Sequence, residues 1–338
     1  MELPAVFERY HDLLDEEIRS IINERKSSMY NMLRYHFGWL DKDGQLRNRS
    51  NGKAVRPTLC LLTCEAVGGD YNLALPAAAA IELVHNYSLI HDDIQDDDTE
   101  RRHQPTVWKV WGKAQAINAG TAMRMLAGVA LRRLKIPPAR QIHLQSLVDE
   151  ATICVIEGQY LDISFESRSD ISTTDYIEMV GCKTAALIAC AIETGAVLGT
   201  ENQNTIAAFH EFGWNLGMAF QAKDDILGIW GKQEETGKPS GNDIRRRKKT
   251  LPVVYAIQET SGDTRDTLLR IYNSEILTEA YVQSIIGILE NTGAYAYTQK
   301  ITEQYIDKSS EILNNLPINP SAKKDFSEII SFFKIRTF

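Results

Sequence analysis

The sequence predicts an all-α fold, and three observations predict it. Apolar residues recur at spacings of three and four along nearly the whole chain, the period of a helix. Several of these runs reach about 20 residues, well beyond the average helix of about 11–12. No stretch of alternating apolar and polar residues is long enough to build a sheet. The runs have matched lengths, and no flexible linker composition separates them. One all-α domain over residues 1–338 is therefore expected.

In chain order, Phe7, Leu13, Leu14, Ile18, Ile21 and Ile22 mark the first apolar stripe. Asp41 to Lys53 is polar, holds two glycines and reads as a loop. Pro57 to Ala66 is an apolar helix that Gly68-Gly69-Asp70 stops. Leu73 to Asp93 is alanine-rich, with Pro76 near its start, where the missing N–H does little harm. Ala114 to Leu134, Ile142 to Ile163, Tyr176 to Leu198 and Ile206 to Trp230 follow as long helices, and Ser172 with Asp175 forms an N-cap pair before the third. Ser164 to Thr174 and Gly231 to Arg247 read as loops. The segment from about Asp263 is more polar and less distinctive.

Charge and composition narrow the classes of function. There are 37 Lys+Arg against 45 Asp+Glu, a formal charge of −8, which disfavours a nucleic-acid partner because that binding runs on displaced counterions. The run Arg245-Arg246-Arg247-Lys248-Lys249 does not reverse this, since Asp224 and Asp225 lie close by in sequence. No run reaches the roughly 18 uncharged apolar residues of a transmembrane segment. Thr184 to Thr200 comes nearest, and Glu193 interrupts it. The acidic, amphipathic N-terminus lacks the features of a secretory signal. The five cysteines (Cys60, Cys64, Cys154, Cys182 and Cys190) have no paired zinc spacing and read as reduced thiols in a cytoplasmic protein.

Two carboxylate clusters, 132 residues apart, carry the chemistry. The first, Asp92-Asp93-Ile94-Gln95-Asp96-Asp97-Asp98, follows an apolar helix. Asp92 and Asp96 project from one face of that helix, one turn apart. Like charges repel at that spacing, and the C-terminal end of a helix favours cations, so a bound cation would relieve the arrangement. The second cluster, Asp224-Asp225, ends another long apolar helix and shares the Asp-Asp-Ile core. Two such ends in one bundle can face each other across a cavity. Oxygen ligands without His or Cys suit Mg2+, which commonly takes one or two carboxylates plus substrate phosphate and water. The loop of a calcium-binding EF-hand is absent. Arg101-Arg102, Lys53, Arg56, Lys183-Thr184, Lys238 and Lys248 bracket the clusters and supply what a pair of diphosphates requires.

From about Asn51 to Ala256 the chain resembles the trans-isoprenyl diphosphate synthases of the polyprenyl synthetase family. Gly52-Lys53-Ala54-Val55-Arg56-Pro57, Asp92-Asp93-Ile94-Gln95-Asp96 and Arg101-Arg102-His103-Gln104-Pro105-Thr106 are similar to successive family motifs. So are Gly158-Gln159-Tyr160-Leu161-Asp162, Lys183-Thr184, Phe220-Gln221 with Asp224-Asp225, and the loop carrying Gly237-Lys238-Pro239, Asp243 and Lys248-Lys249-Thr250-Leu251-Pro252. The resemblance implies an isoprenoid synthase-type helical bundle around a deep central cavity, usually a homodimer. It implies that Asp92, Asp96 and Asp224 hold magnesium ions on an allylic prenyl diphosphate, with Asp93 and Asp225 supporting. Arg101, Lys183, Gln221, Lys238 and Lys248 would contact that diphosphate, with Thr184 beside them. Lys53, Arg56, His85 and Arg102 would hold isopentenyl diphosphate.

The resemblance also bears on product length. Tyr87 lies five residues before Asp92, about 7.5 Å deeper along the helix at 1.5 Å per residue, in the place of a cavity floor. Ser88 is small, and no insertion separates Asp93 from Asp96. That combination is similar to geranylgeranyl diphosphate synthases and implies a C20 product. Four positions depart from the family pattern: Ala54 for Arg, His103 for Gly, Thr121 for Asp (with Arg124 nearby in a pocket-like helix), and Gly228 for the last Asp of the second motif. These departures keep two alternatives in view. One is a class I terpene synthase that ionises a C20 or cyclised C20 diphosphate to a hydrocarbon or alcohol. The other is an inactive regulatory subunit.

Overall fold

The computed structural model describes residues 3–47, 52–233, 239–272, 274 and 276–335. The N-terminal stripe forms α1 (Val6–Arg9) and α2 (His11–Asn23), which bury Phe7, Leu14, Ile18, Ile21 and Ile22. Leu13 is the exception and is exposed. After α3 (Asn31–His36) and the loop, α4 (Val55–Ala66) and α5 (Tyr71–Gln95) run into the core. Asp70 caps α5 by accepting from the Asn72 N–H at 2.9 Å. The helix thus starts earlier than expected, which places Pro76 in its second turn.

The expectation of no sheet holds apart from one short pair of strands among the described residues. β1 (Glu100–Arg101) pairs antiparallel with β2 (Gln104–Pro105). Arg102 (φ 54°) and His103 (φ 60°) make the turn between them, both left-handed. That two-residue geometry favours Gly or Asn. His103, one of the four departures, therefore carries a backbone cost that glycine would avoid.

The long helices follow as α6 (Val107–Trp111), α7 (Lys113–Leu131), α8 (Pro138–Glu166), α9 (Thr173–Val180), α10 (Ala186–Gly199) and α11 (Gln203–Trp230). Ser172 and Asp175 form the expected capping box on α9. A π-helical turn, Gly181–Ala185, joins α9 to α10. Lys183 and Thr184 therefore sit on this π turn, inside the helix expected from Tyr176 to Leu198. The C-terminal part comprises α12 (Asn242–Arg245), α13 (Leu251–Glu259), α14 (Gly262–Tyr272), α15 (Glu279–Asn291), α16 (Ala294–Asn315) and α17 (Pro320–Ile335).

α5 packs between α4 and α7, α10 packs on α4, α8 and α11, and α11 packs on α16. Small residues permit this closeness: Ala77, Ala78, Ala79 and Ala80 of α5 are fully buried. Two helical stretches, Tyr71–Gln95 and Thr173–Gly199, are long and apolar enough to cross a bilayer by length and composition, but most of each lies buried against other helices. The C-terminal end of α5 brings Asp92 to the head of one cavity and that of α11 brings Asp224 to a polar chamber, and Arg246 links the chamber to the first cluster.

Candidate active site

At each acidic helix end one aspartate turns inward and its neighbour is more open, as the helical period requires of adjacent residues. Asp93 and Asp225 are buried, each about 1% exposed. Asp92 is partly buried and Asp224 is exposed. Asp93 Oδ1 accepts from Arg101 Nε at 2.7 Å, and its Oδ2 is buried without a partner among the described residues. Asp225 is satisfied by neutral donors: Tyr176 Oη donates at 2.6 Å, Gln221 Nε2 at 3.0 Å and the Leu251 backbone N–H at 3.0 Å. Gln221 Oε1 in turn accepts from Thr184 Oγ1 at 3.0 Å. Asp225 thereby ties the first turn of α13 to α11.

Burial pushes the carboxyls of Asp92 and Asp93 up to about 6, and that of Asp225 up to about 7. Burial opposes the charge on Lys183, but Asp162, Asp92 and Asp96 outweigh it and raise the ammonium's pKa. Lys183 is ion-paired to Asp162. The π turn brings Lys183 against α8 at Gly158, where any Cβ would collide with the Lys183 backbone nitrogen. This accounts for the glycine of Gly158-Gln159, since only hydrogen fits between those backbones.

A polar chamber of about 200 Å³ gathers Lys183, Thr184, Gln221, Asp224, Asp225 and Lys248. Asp162, Tyr176, Asp243 and Arg246 line it too. Asp162 and Asp243 stand in the family-like motifs but carried no role in the sequence. Tyr176 gave no sequence signal at all, because its partner Asp225 is 49 residues away. At Gly228, one of the departures, an added Cβ would collide with the Asp243 carboxylate. The loop thus delivers a carboxylate to the face from which α11 offers none. Arg246 Nη2 lies 2.5 Å from Asp98 Oδ1 and 3.8 Å from Asp96 Oδ2, linking α12 to the first cluster. Lys238 lies outside the described residues.

The second group of cations assembles beside α5. Arg56 Nη1 approaches His85 Nε2 at 3.3 Å. Burial, with nearby Arg56, Arg102 and Arg101, holds the His85 imidazole well below its ordinary pKa, so it is neutral and accepts from Arg56. Burial lowers Arg56 to about 10, opposed by Glu82. Gly52 packs on the Arg102 guanidinium, where an added Cβ would lie 3.1 Å from Nη2. Lys53 is exposed nearby on the same loop. Ala54 follows in the left-handed region at φ 44°.

A cavity of about 1350 Å³ runs from Asp92 down between α5, α7 and α8. Tyr87 and Ser88 line it, as do Thr121, Arg124 and a set of aliphatic side chains from α7 and α8. Tyr87 is buried with no partner for its hydroxyl among the described residues. Among the described residues, no three Asp, Glu, His or Cys side chains converge as a closed metal cage. The carboxylates instead stand on separate rims, the open oxygen-only arrangement that suits Mg2+ shared with substrate phosphate and water. They fit such an ion.

The chain matches the family described as Polyprenyl synthetase over residues 39–289. It is 37% identical over 323 residues to a (2E,6E)-farnesyl diphosphate synthase of Mycobacterium tuberculosis, covering 93% of this chain and 88% of that protein. A geranylgeranyl diphosphate synthase of the same organism is 35% identical, with 94% and 90% covered. The crystal structure of a polyprenyl synthetase from Streptomyces coelicolor superposes with a TM-score of 0.92 at 35% identity, covering 99% of this chain and 100% of that one. A polyprenyl synthase from Caulobacter crescentus, complexed with calcium and isoprenyl diphosphate, gives 0.84 at 26% identity, with 99% and 98% covered.

Proposed function

The chain belongs to the polyprenyl synthetase family and is a trans-isoprenyl diphosphate synthase of the short-chain type, and from that premise we propose that it condenses an allylic prenyl diphosphate with isopentenyl diphosphate to the C20 geranylgeranyl diphosphate. One observation carries the reading: Asp92 heads a long cavity with apolar walls and is close enough to Lys183 of the polar chamber to raise its pKa, while a second cationic group, Arg56 against His85, is held beside the same helix.

Asp92, Asp96 and Asp224 would hold magnesium, which would supply positive charge to neutralise a departing diphosphate. Lys183, Arg101, Gln221 and Lys248 grip the same diphosphate and stabilise the negative charge that develops as the allylic C–O bond breaks. Lys53, Arg56 and Arg102 hold the diphosphate of isopentenyl diphosphate, and neutral His85 orients Arg56. The apolar walls keep water from the carbocation until the isopentenyl double bond attacks it. A proton then leaves to the departed diphosphate and a new allylic diphosphate results. Tyr87 narrows the cavity about 7.5 Å below Asp92. Ile142, Ile153, Ile156, Tyr160 and Ile163 of α8 line this cavity and are also exposed, so the cavity is open along α8; a second copy covering that apolar face would close it, which supports a homodimer.

The test is product analysis with Mg2+. Farnesyl diphosphate should give a C20 diphosphate only when isopentenyl diphosphate is present. A hydrocarbon or alcohol from a C20 diphosphate alone would replace this reading with the terpene synthase. No turnover together with binding to an active homologue would replace it with the regulatory subunit.

A further inference from the structure

Arg124 lines the cavity among aliphatic side chains of α7 and α8, with Arg132 and Gln141 lining it too, and elongation chemistry gives it no task. α7 runs antiparallel to α5. Their register is set where Gly120 packs directly on the His91 ring and His91 Nε2 lies 3.4 Å from the Ile117 carbonyl. Four residues further along α7 is Arg124, and four residues back along α5 is Tyr87, so the two share one level of the cavity. The guanidinium reaches across to α8 and is ion-paired to Asp149 Oδ1. Gln145 Nε2 donates to both Asp149 oxygens at 3.0 Å, bracing the carboxylate from one turn away on the same helix. The pair is partly buried, with 21% of the Arg124 side chain and 44% of Asp149 exposed.

The cavity does not end at this level. Beyond it the walls continue through Gly128, Val129 and Leu131, toward Tyr30 and Arg25. Steric volume at Tyr87 alone therefore leaves a lower compartment to be explained. The ion pair joins two of its walls, α7 and α8, and sets charge into the passage at this level. An apolar tail that advances must either separate the charges or strip their water, and both are unfavourable because hydrocarbon offers no replacement partner.

Resting on the elongase reading above, we propose that the Arg124–Asp149 ion pair, braced by Gln145, is a polar gate across the cavity that stops the growing prenyl chain and sets product length together with Tyr87. The pair touches no diphosphate, so its effect falls on where elongation stops rather than on bond formation.

The experiment compares products of the full-length protein given farnesyl diphosphate, isopentenyl diphosphate and Mg2+. The double variant Arg124→Met/Asp149→Leu is expected to shift the main product by at least one five-carbon unit, with the KM for isopentenyl diphosphate unchanged. The swapped variant Arg124→Asp/Asp149→Arg rebuilds the pair and is expected to return the wild-type length. Where either variant does not fold, Arg124→Gln/Asp149→Asn, which keeps size and removes both charges, is expected to give a partial shift. An active double variant with the wild-type product overturns the gate, as does a swapped variant that lengthens products as much as the double. Absence of any isopentenyl-dependent product from the wild-type protein overturns the elongase reading instead.

Discussion

The two acidic helix ends share Asp-Asp-Ile, yet opposite chemistry braces them. At the first, the inward Asp93 is held by a cation, Arg101, and the outer carboxylates meet further cations: Lys113 lies 2.5 Å from Asp97, and Arg246 bridges toward Asp98 and Asp96. At the second, the inward Asp225 is held by a phenol, an amide and a backbone N–H, none of them charged. The source of the second facing carboxylate differs too. One turn after Asp92, α5 itself supplies Asp96. One turn after Asp224, α11 supplies Gly228, and the space is taken by Asp243 from α12. The first rim is thus built within one helix and steadied by charge. The second is assembled from a helix and a loop and steadied by neutral hydrogen bonds, so its shape depends on how that loop is seated.

The comparison breaks most visibly if the outward aspartates are equivalent to any other acidic residue. Asp92→Asn is expected to lower turnover by at least about a hundredfold, while the far-ultraviolet circular dichroism stays that of the parent. Activity within a fewfold of wild type would remove Asp92 from the machinery. Gly228→Ala tests the loop-borne half of the second rim. The new methyl must push Asp243 away, and a displacement on that scale is expected to cost about tenfold to a hundredfold in kcat, with the unfolding midpoint little changed. Unchanged kcat would mean that the position of Asp243 does not matter. The smallest effect belongs to the bridge between the rims. Arg246→Gln is expected to alter stability by no more than about 1 kcal/mol, as for other partly exposed ion pairs, but to speed proteolysis within residues 239–250 at low salt. High salt should bring the wild-type protein to the same cleavage rate. Equal rates at low salt would show that the bridge does not hold the loop.

Much of the site was legible because a helical period converts spacing into direction. Asp92 and Asp96 face one way because four residues make about one turn, and the capping box at Ser172 and Asp175 formed where its spacing required. Legibility ended where partners are remote. Nothing in the sequence marks Tyr176 as the residue that holds Asp225, or Arg246 as the partner of Asp98 at a separation of 148 residues. The π turn at Gly181–Ala185 was equally silent, because its cause, the close approach of α8 at Gly158, is a contact between helices.

What the sequence determined by itself was the helical architecture and the place of two carboxylate clusters at the ends of long apolar helices, since local periodicity and side-chain chemistry suffice for those. Only the tertiary structure decided which aspartate of each pair turns inward to a partner, that Asp243 takes the place α11 leaves at Gly228, and that Arg124 and Asp149 meet across the cavity. Each of these depends on distances between segments far apart in the chain, and helix packing sets those distances.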